Sequence, residues 1–234
     1  MAGILYIISA PSGSGKSTLV NELRSMVPNL EFSISYTTRP PRGSEHNGRE
    51  YYFVGRREFE RMIAADQFLE HASVFGHYYG TARGVLGDAK VSGKDLLLDI
   101  DVQGAEQVRK KVPDAVSIFV MPPNRETLEQ RLRNRSQSDK VDPKVIERRL
   151  ENAEKEIVNY NKYGYILVNT ILDKAVHELM AIVLSERIRR SGESLTKEDQ
   201  EQIRIAEGCS LANSHEKVRP VLESFKIAAA GSNL

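Results

Sequence analysis

Ser12-Gly13-Ser14-Gly15-Lys16-Ser17-Thr18 follows the apolar run Ile4 to Ile8 and leads into Leu19 to Met26, whose apolar residues fall at helical spacing. Strand, glycine-rich turn and helix in that order build an anion cradle. Glycines let successive backbone N–H groups converge on phosphate oxygens, and the helix N-terminus adds partial positive charge. Lys16 reaches the β- and γ-phosphates and Ser17 can ligate Mg²⁺. The pattern is G-x-x-x-x-G-K-[ST], with Ala10 in place of the first glycine. It predicts a nucleoside-triphosphate site over residues 12–18 and an α/β fold around it.

Working outward, Leu96 to Ile100, Ser117 to Met121 and Ile166 to Val168 are short apolar runs of the kind buried on both faces, and helical patterns separate most of them. That alternation predicts a parallel sheet flanked by helices. Two segments break it. Phe32 to Gly93 is rich in tyrosine, arginine and glycine, with short extended runs such as Tyr51 to Val54, and reads as an inserted substrate-binding subdomain. Arg125 to Lys155 is densely charged, with leucines and arginines at helical spacing and a break at Ser136 to Asp139, and reads as a helical lid. The expected organisation is one domain over residues 1–190, with core segments 1–31, 94–124 and 156–190, an insert over 32–93 and a lid over 125–155. Residues 191–234 form a C-terminal extension, helical or disordered. In it Thr196 and Asp199 can form a capping box before Lys197 to Glu207, and Val218, Val221, Leu222 and Phe225 make an apolar stripe. Such a stripe wants a surface, on the same chain or on a second subunit of a homo-oligomer.

Composition narrows the classes. The 234 residues carry 33 basic and 32 acidic side chains, a net charge of +1, so no global field marks a nucleic-acid partner. The single cysteine, Cys209, excludes an intramolecular disulfide and a cysteine-rich metal site, which fits a reducing, cytoplasmic setting. Gly3 to Ala10 is far shorter than the roughly 20 apolar residues of a membrane span, and no other run approaches that length. The chain is expected to be soluble, with no membrane and no nucleic acid among its partners.

A phosphate loop alone does not separate kinases from GTPases or ATPase motors. Asp101-Val-Gln-Gly104 matches the D-x-x-G of GTPase switches, but Asn161-Lys162-Tyr163-Gly164 lacks the aspartate of a guanine-reading N-K-x-D. A second anion site speaks for a kinase, which must hold an acceptor as well as a donor. Ser35-Tyr-Thr-Thr-Arg39-Pro-Pro-Arg42 sets two guanidinium groups three residues apart on a segment stiffened by Pro40 and Pro41, a plausible monophosphate clamp.

With these motifs go Asn47-Gly48-Arg49-Glu50-Tyr51, Phe68-Leu-Glu70, Tyr78-Tyr79-Gly80-Thr81 and Leu98-Asp99-Ile-Asp101-Val-Gln-Gly104. Together, over about residues 1 to 190, they resemble the guanylate kinase family, in which Ala10 is an ordinary variant of the first loop glycine. The resemblance implies ATP as donor with Mg²⁺, GMP as acceptor, and ADP and GDP as products. It implies that Ser35, Arg39, Arg42, Tyr51 and Tyr79 hold the GMP phosphate while Glu70, Thr81 and Asp101 address the guanine. It also implies that Arg131, Arg135 and Arg149 join Lys16 and Arg39 on the transferring phosphates. The chemistry agrees: a carboxylate at Glu70 can accept from both N1–H and the N2 amine of guanine, an edge adenine does not offer, and Thr81 can donate to O6. Asp99 and Asp101 lie two apart at a strand end, which puts both on one face. Either can hold Mg²⁺ together with Ser17, directly or through water, and Asp101 can instead cap the next helix. Two other readings stay open: a catalytically inactive guanylate-kinase-like interaction module, disfavoured by the intact phosphate loop, and a kinase for another nucleoside monophosphate, disfavoured by Glu70 and Thr81.

Overall fold

The structure, a computed structural model, describes residues 3–137 and 143–228, and the side chains of residues 135–137 and 143 fall outside that description. In chain order come β1 (Leu5–Ser9), α1 (Lys16–Met26), β2 (Leu30–Phe32), β3 (Tyr36–Thr37), β4 (Tyr52–Phe53), α2 (Arg56–Ala64), β5 (Phe68–Val74), β6 (His77–Ala82) and α3 (Gly84–Ser92). They are followed by β7 (Asp95–Asp99), α4 (Val102–Lys111), β8 (Val116–Met121), α5 (Arg125–Gln137), α6 (Pro143–Ile157), β9 (Tyr165–Val168), α7 (Leu172–Ser191), α8 (Lys197–Glu207) and α9 (His215–Ser224). The four apolar runs read from the sequence are β1, β7, β8 and β9, each within a residue of its expected ends. The architecture is mixed α/β, with parallel strands flanked by helices. Among the described residues no helix is long and apolar enough to cross a membrane.

Two compact units emerge. The first joins the residues up to Ile8 with Asn29–Val116. In it β7 pairs in parallel with β1, from Leu5↔Leu96 to Ile8↔Asp99, and on its other side with β2. Leu97, Leu98, Ile7 and Ile8 are fully buried, as strands covered on both faces require. A second, four-stranded sheet runs β4-β3-β6-β5, so β5 is an edge strand. Its underside is aromatic: Phe59 of α2 stacks on Phe68 and on Tyr78 at ring separations of 4.4 and 5.3 Å. Pairing of β5 with β6 slips at Leu69: Phe68 lies opposite Ala82 but Glu70 opposite Thr81. Two residues of β5 span one step of β6, a bulge that re-aims the following side chain.

The second unit joins Ser9–Pro28 with the residues from Ser117 onward. Here β8 and β9 pair in parallel from Ile118↔Tyr165 to Met121↔Val168, and α1 and α7 pack together. The described part of the extension carries two helices, α8 and α9, joined by non-helical chain. The capping box of α8 is complete, with Thr196 Oγ1 accepting from the Asp199 N–H and Asp199 accepting from the Thr196 N–H. Between α8 and α9 the chain forms an antiparallel bridge on β9: Ile166 N–H donates to Cys209 O at 2.7 Å and Leu211 N–H to Gly164 O at 2.9 Å. The expected stripe of α9, Val218, Val221, Leu222 and Phe225, is buried, with α9 packed on α5 and β9. It therefore finds its surface on its own chain. Ser224 Oγ accepts the N–H of Arg125, the first residue of α5, at 3.0 Å.

Leu222 is 2% exposed. Leu222→Ala is expected to lower the unfolding free energy by about 2–5 kcal/mol, the usual cost of emptying a leucine site. Urea denaturation measures it. A loss under about 0.5 kcal/mol, the size of a surface substitution, would place α9 outside the cooperative core.

Candidate active site

The donor half is built around the turn between β1 and α1. Gly13 and Gly15 both have left-handed backbones, at φ 93° and 88°. A Cβ on Gly13 would lie 2.9 Å from Leu128 Cδ1 and 3.0 Å from Leu132 Cδ2, and one on Gly15 would lie 2.4 Å from Asn169 Nδ2. Conformation and space thus both demand glycine. The ladder of α1 begins with Leu19 N–H to Gly15 O, and Gly15 caps the helix without a side chain. The N–H groups of its first turn, where Ser17 and Thr18 are exposed, have no acceptor within the helix and can meet an anion. Ser14 Oγ is buried without a hydrogen-bond partner among the described residues.

Two groups brace this turn. Asn169, buried just after β9, donates from Nδ2 to Ser14 O at 2.8 Å. Arg131, between Leu128 and Leu132 on α5, donates to Asn169 O at 3.1 Å and to Ser14 O at 3.4 Å. Burial alone draws its pKa below the ordinary arginine value. No carboxylate among the described residues is ion-paired with it, so a positive charge sits on carbonyls beside the phosphate loop. Arg149 lies half-buried on α6. Arg135 lies on α5, and its side chain is outside the described residues. Asn169 escaped the sequence reading; its only signal is a lone polar residue after a buried apolar run.

The phosphate clamp of the acceptor half lies in the other unit. Arg39 is 6% exposed; its Nη2 donates to Glu45 Oε1 at 3.0 Å and its Nη1 lies 2.9 Å from Glu45 Oε2. Nη1 also donates to Pro40 O, and the guanidinium lies 5.4 Å from the Tyr51 ring centroid. Desolvation would lower its pKa, but Glu45 and Tyr79 outweigh burial and raise it. The Tyr51 and Tyr79 rings meet edge to face at 5.9 Å, Ser35 is buried, and Arg42 is exposed with its N–H donated to Glu45 Oε2. Glu45 thus engages Arg39 end-on, through both Nη groups, a bidentate pairing that a phosphate can also make. It was not foreseen, although it is an acidic residue in a basic loop.

The third cluster surrounds Glu70, which is 3% exposed. Thr81 Oγ1 donates to Glu70 Oε1 at 2.6 Å. A Cβ on Gly104 would fall 2.3 Å from Glu70 Oε2, so only glycine admits the carboxylate there. Burial pushes Glu70 up to about 7, the Asp101 charge adds to that, and Thr81 and Lys111 oppose it. Thr81 gives its one hydroxyl proton to Glu70, so donation to a base O6 requires the hydroxyl to turn. One expectation needs correction. β7 ends at Asp99, so Asp99 and Asp101 do not share a strand face: Asp101 is the N-cap of α4, its Oδ1 accepting Gly104 N–H at 2.8 Å. Capping and ligand binding are nevertheless compatible, because Asp101 Oδ2 is buried without a hydrogen-bond partner among the described residues.

The guanylate kinase family model matches residues 3–186. The chain belongs to the guanylate kinase family. A guanylate kinase of Koribacter versatilis (strain Ellin345) is 59% identical over 228 residues, covering 97% of this chain and 98% of the relative. That of Escherichia coli (strain K12) is 46% identical over 191 residues, 81% of this chain and 91% of the relative. The crystal structure of guanylate kinase from Anaplasma phagocytophilum matches with a TM-score of 0.67 and 34% identity, over 80% of this chain and 87% of that one. The extension lies beyond the guanylate kinase model and is spanned by the Koribacter match.

Proposed function

We propose that this guanylate kinase family member transfers the γ-phosphoryl group of ATP to GMP, giving ADP and GDP. The observation that carries the acceptor's identity is the buried Glu70 carboxylate with the Oδ2 of Asp101 beside α4, which has no hydrogen-bond partner among the described residues. Guanine presents N1–H and an N2 amine, three protons for carboxylate oxygens to accept; adenine presents a bare N1 there. Arg39 and Arg42, with Ser35, Tyr51 and Tyr79, hold the monophosphate, for which Glu45 stands in on the clamp.

The donor triphosphate lies along residues 12–18, with Arg131, Arg135 and Arg149 of α5 and α6 meeting it as a lid. A GMP phosphate oxygen is already anionic and attacks in line without a general base. Rate enhancement then comes from positioning and from charge stabilisation by Lys16 and the arginines. Ser17, at the exposed first turn of α1, and Asp99, at the carboxyl end of β7, offer hard oxygen donors suited to Mg²⁺. Among the described residues no three acidic or histidine side chains gather into a metal cage, so nucleotide and water oxygens would supply the other positions. When bound, the ion offsets charge on the β- and γ-phosphate oxygens. A cytoplasmic enzyme acting on free nucleotides completes the reading.

An ADP-release assay across GMP, AMP, CMP and UMP tests it, with turnover expected for GMP. Lys16→Ala should cut kcat by roughly 10² or more, the cost of deleting one electrostatic stabiliser. Near-normal turnover of the folded variant would refute the proposed chemistry.

The acceptor site should also respond to pH. Only ionised Glu70 can accept both guanine protons, so GMP affinity should rise with pH through about 7 and fall below it, by up to tenfold per unit. The second ionisation of the GMP phosphate, near about 6, adds its own step. Measured at saturating ATP from about pH 5.5 to 8.5, KM for GMP should show both steps, and Glu70→Gln should keep only the lower one. Superimposable profiles would remove Glu70 from the base site.

A further inference from the structure

We infer that Gln107 and Lys111 are positioning residues for guanine selection, acting together by gripping the main chain of β5 on either side of Glu70. The inference rests on the reading of Glu70 as the guanine acceptor and assigns the part of the molecule that holds it there.

β5 is the edge of its sheet, so its outward N–H and C=O groups have no strand partner among the described residues. At His71 the Gln107 carboxamide replaces that strand. Its Nε2 donates to His71 O at 2.7 Å and its Oε1 accepts His71 N–H at 3.2 Å, the paired bonds a neighbouring peptide would make. At Leu69 the bulge takes a residue out of the ladder, and Lys111 Nζ donates to its carbonyl. Glu70 lies between these two anchored residues. On α4, Gly104, Gln107 and Lys111 stand at i, i+3 and i+7 and so share one helix face. That face fixes the backbone before Glu70, fixes it after Glu70, and leaves at Gly104 the space its carboxylate fills. Asp101, capping the same helix, turns its buried Oδ2 away from the Gly104 N–H that Oδ1 accepts.

The arrangement explains why the bulge sits where it does. A regular strand would place residues 68 to 70 in step with β6 and send Glu70 to the other face. The slip brings Glu70 opposite Thr81, and the displaced Leu69 carbonyl then needs a donor away from the sheet. Lys111 supplies it, and its charge also lies toward Glu70, opposing the effects of burial and of Asp101. Without these bonds Glu70 keeps its chemistry but loses its fixed place, and selection by two simultaneous hydrogen bonds depends on place.

Steady-state kinetics on the full chain test this. Gln107→Ala and Lys111→Met should each raise KM for GMP and lower the GMP-over-AMP ratio of kcat/KM by roughly threefold to tenfold, the span of a lost net hydrogen bond. KM for ATP should stay within about twofold, and Lys111→Arg, which keeps a charged donor, should restore most of the ratio. A scaffold role alone would lower thermal stability without splitting the two KM values. If Gln107→Ala does not fold, Lys111→Met, which removes a single bond to one carbonyl, carries the same expectation. Glu70→Gln is the parallel control, and adding Gln107→Ala to it should lower the ratio no further. If Glu70→Gln lowers the ratio while folded Gln107→Ala and Lys111→Met leave both it and KM for GMP unchanged, the grip is wrong and the base assignment stands. If Glu70→Gln itself leaves the ratio unchanged, both fall.

Discussion

A carboxylate almost wholly removed from water is costly unless hydrogen bonds replace its hydration, and the acceptor side of this molecule is arranged around that cost at Glu70. The bulge in β5 aims it, Thr81 donates to one oxygen, and the missing side chain of Gly104 makes room for the other. What Glu70 receives is still less than water offered, which is why its pKa is pushed up to about 7. That shortfall is useful. A site whose polar groups are only partly satisfied gains most from the ligand that completes them and rejects one that cannot.

The donor side applies the same logic with opposite sign. Here the uncompensated charge is positive: the Arg131 guanidinium rests on carbonyls of Ser14 and Asn169, and the first turn of α1 directs N–H groups outward. These dipoles and charges are fixed before any ligand arrives, so little reorganisation is left for the moment of reaction. Arg39 follows a different rule, because the acceptor clamp is ion-paired with Glu45. A buried guanidinium without a counter-ion would destabilise the fold, and a carboxylate of the same loop meets that need by a two-point pairing with both Nη groups.

How much of this could be read in the sequence follows from the range of each interaction. The strands of the parallel core were visible because burial on both faces leaves continuous apolar runs, and the phosphate loop because its glycines, lysine and serine are contiguous. The capping box of α8 spans four residues and was equally plain. Asn169 contacts Ser14 across 155 positions, Gln107 meets His71 across 36, and no local pattern records either bond. Asp101 shows a subtler limit. Its position before a helix suggests a cap and its motif suggests a base contact; with two oxygens, it can do one with each.

The C-terminal extension belongs to the same economy of fixed positions. β9 would otherwise end the pair it forms with β8, and the bridge at Ser210 covers its backbone, while α9 buries its apolar stripe under α5. Ser224 then satisfies the N–H of Arg125, one of the donors every helix start leaves without an intrahelical acceptor. α5 is thereby held at its first residue, and one to two turns further on the same helix sets Leu128 and Leu132 against Gly13 and Arg131 against Ser14. The register of α5 along its axis decides whether those side chains meet the phosphate loop. A segment with no nucleotide chemistry of its own thus contacts the start of the helix whose later turns brace the phosphate loop.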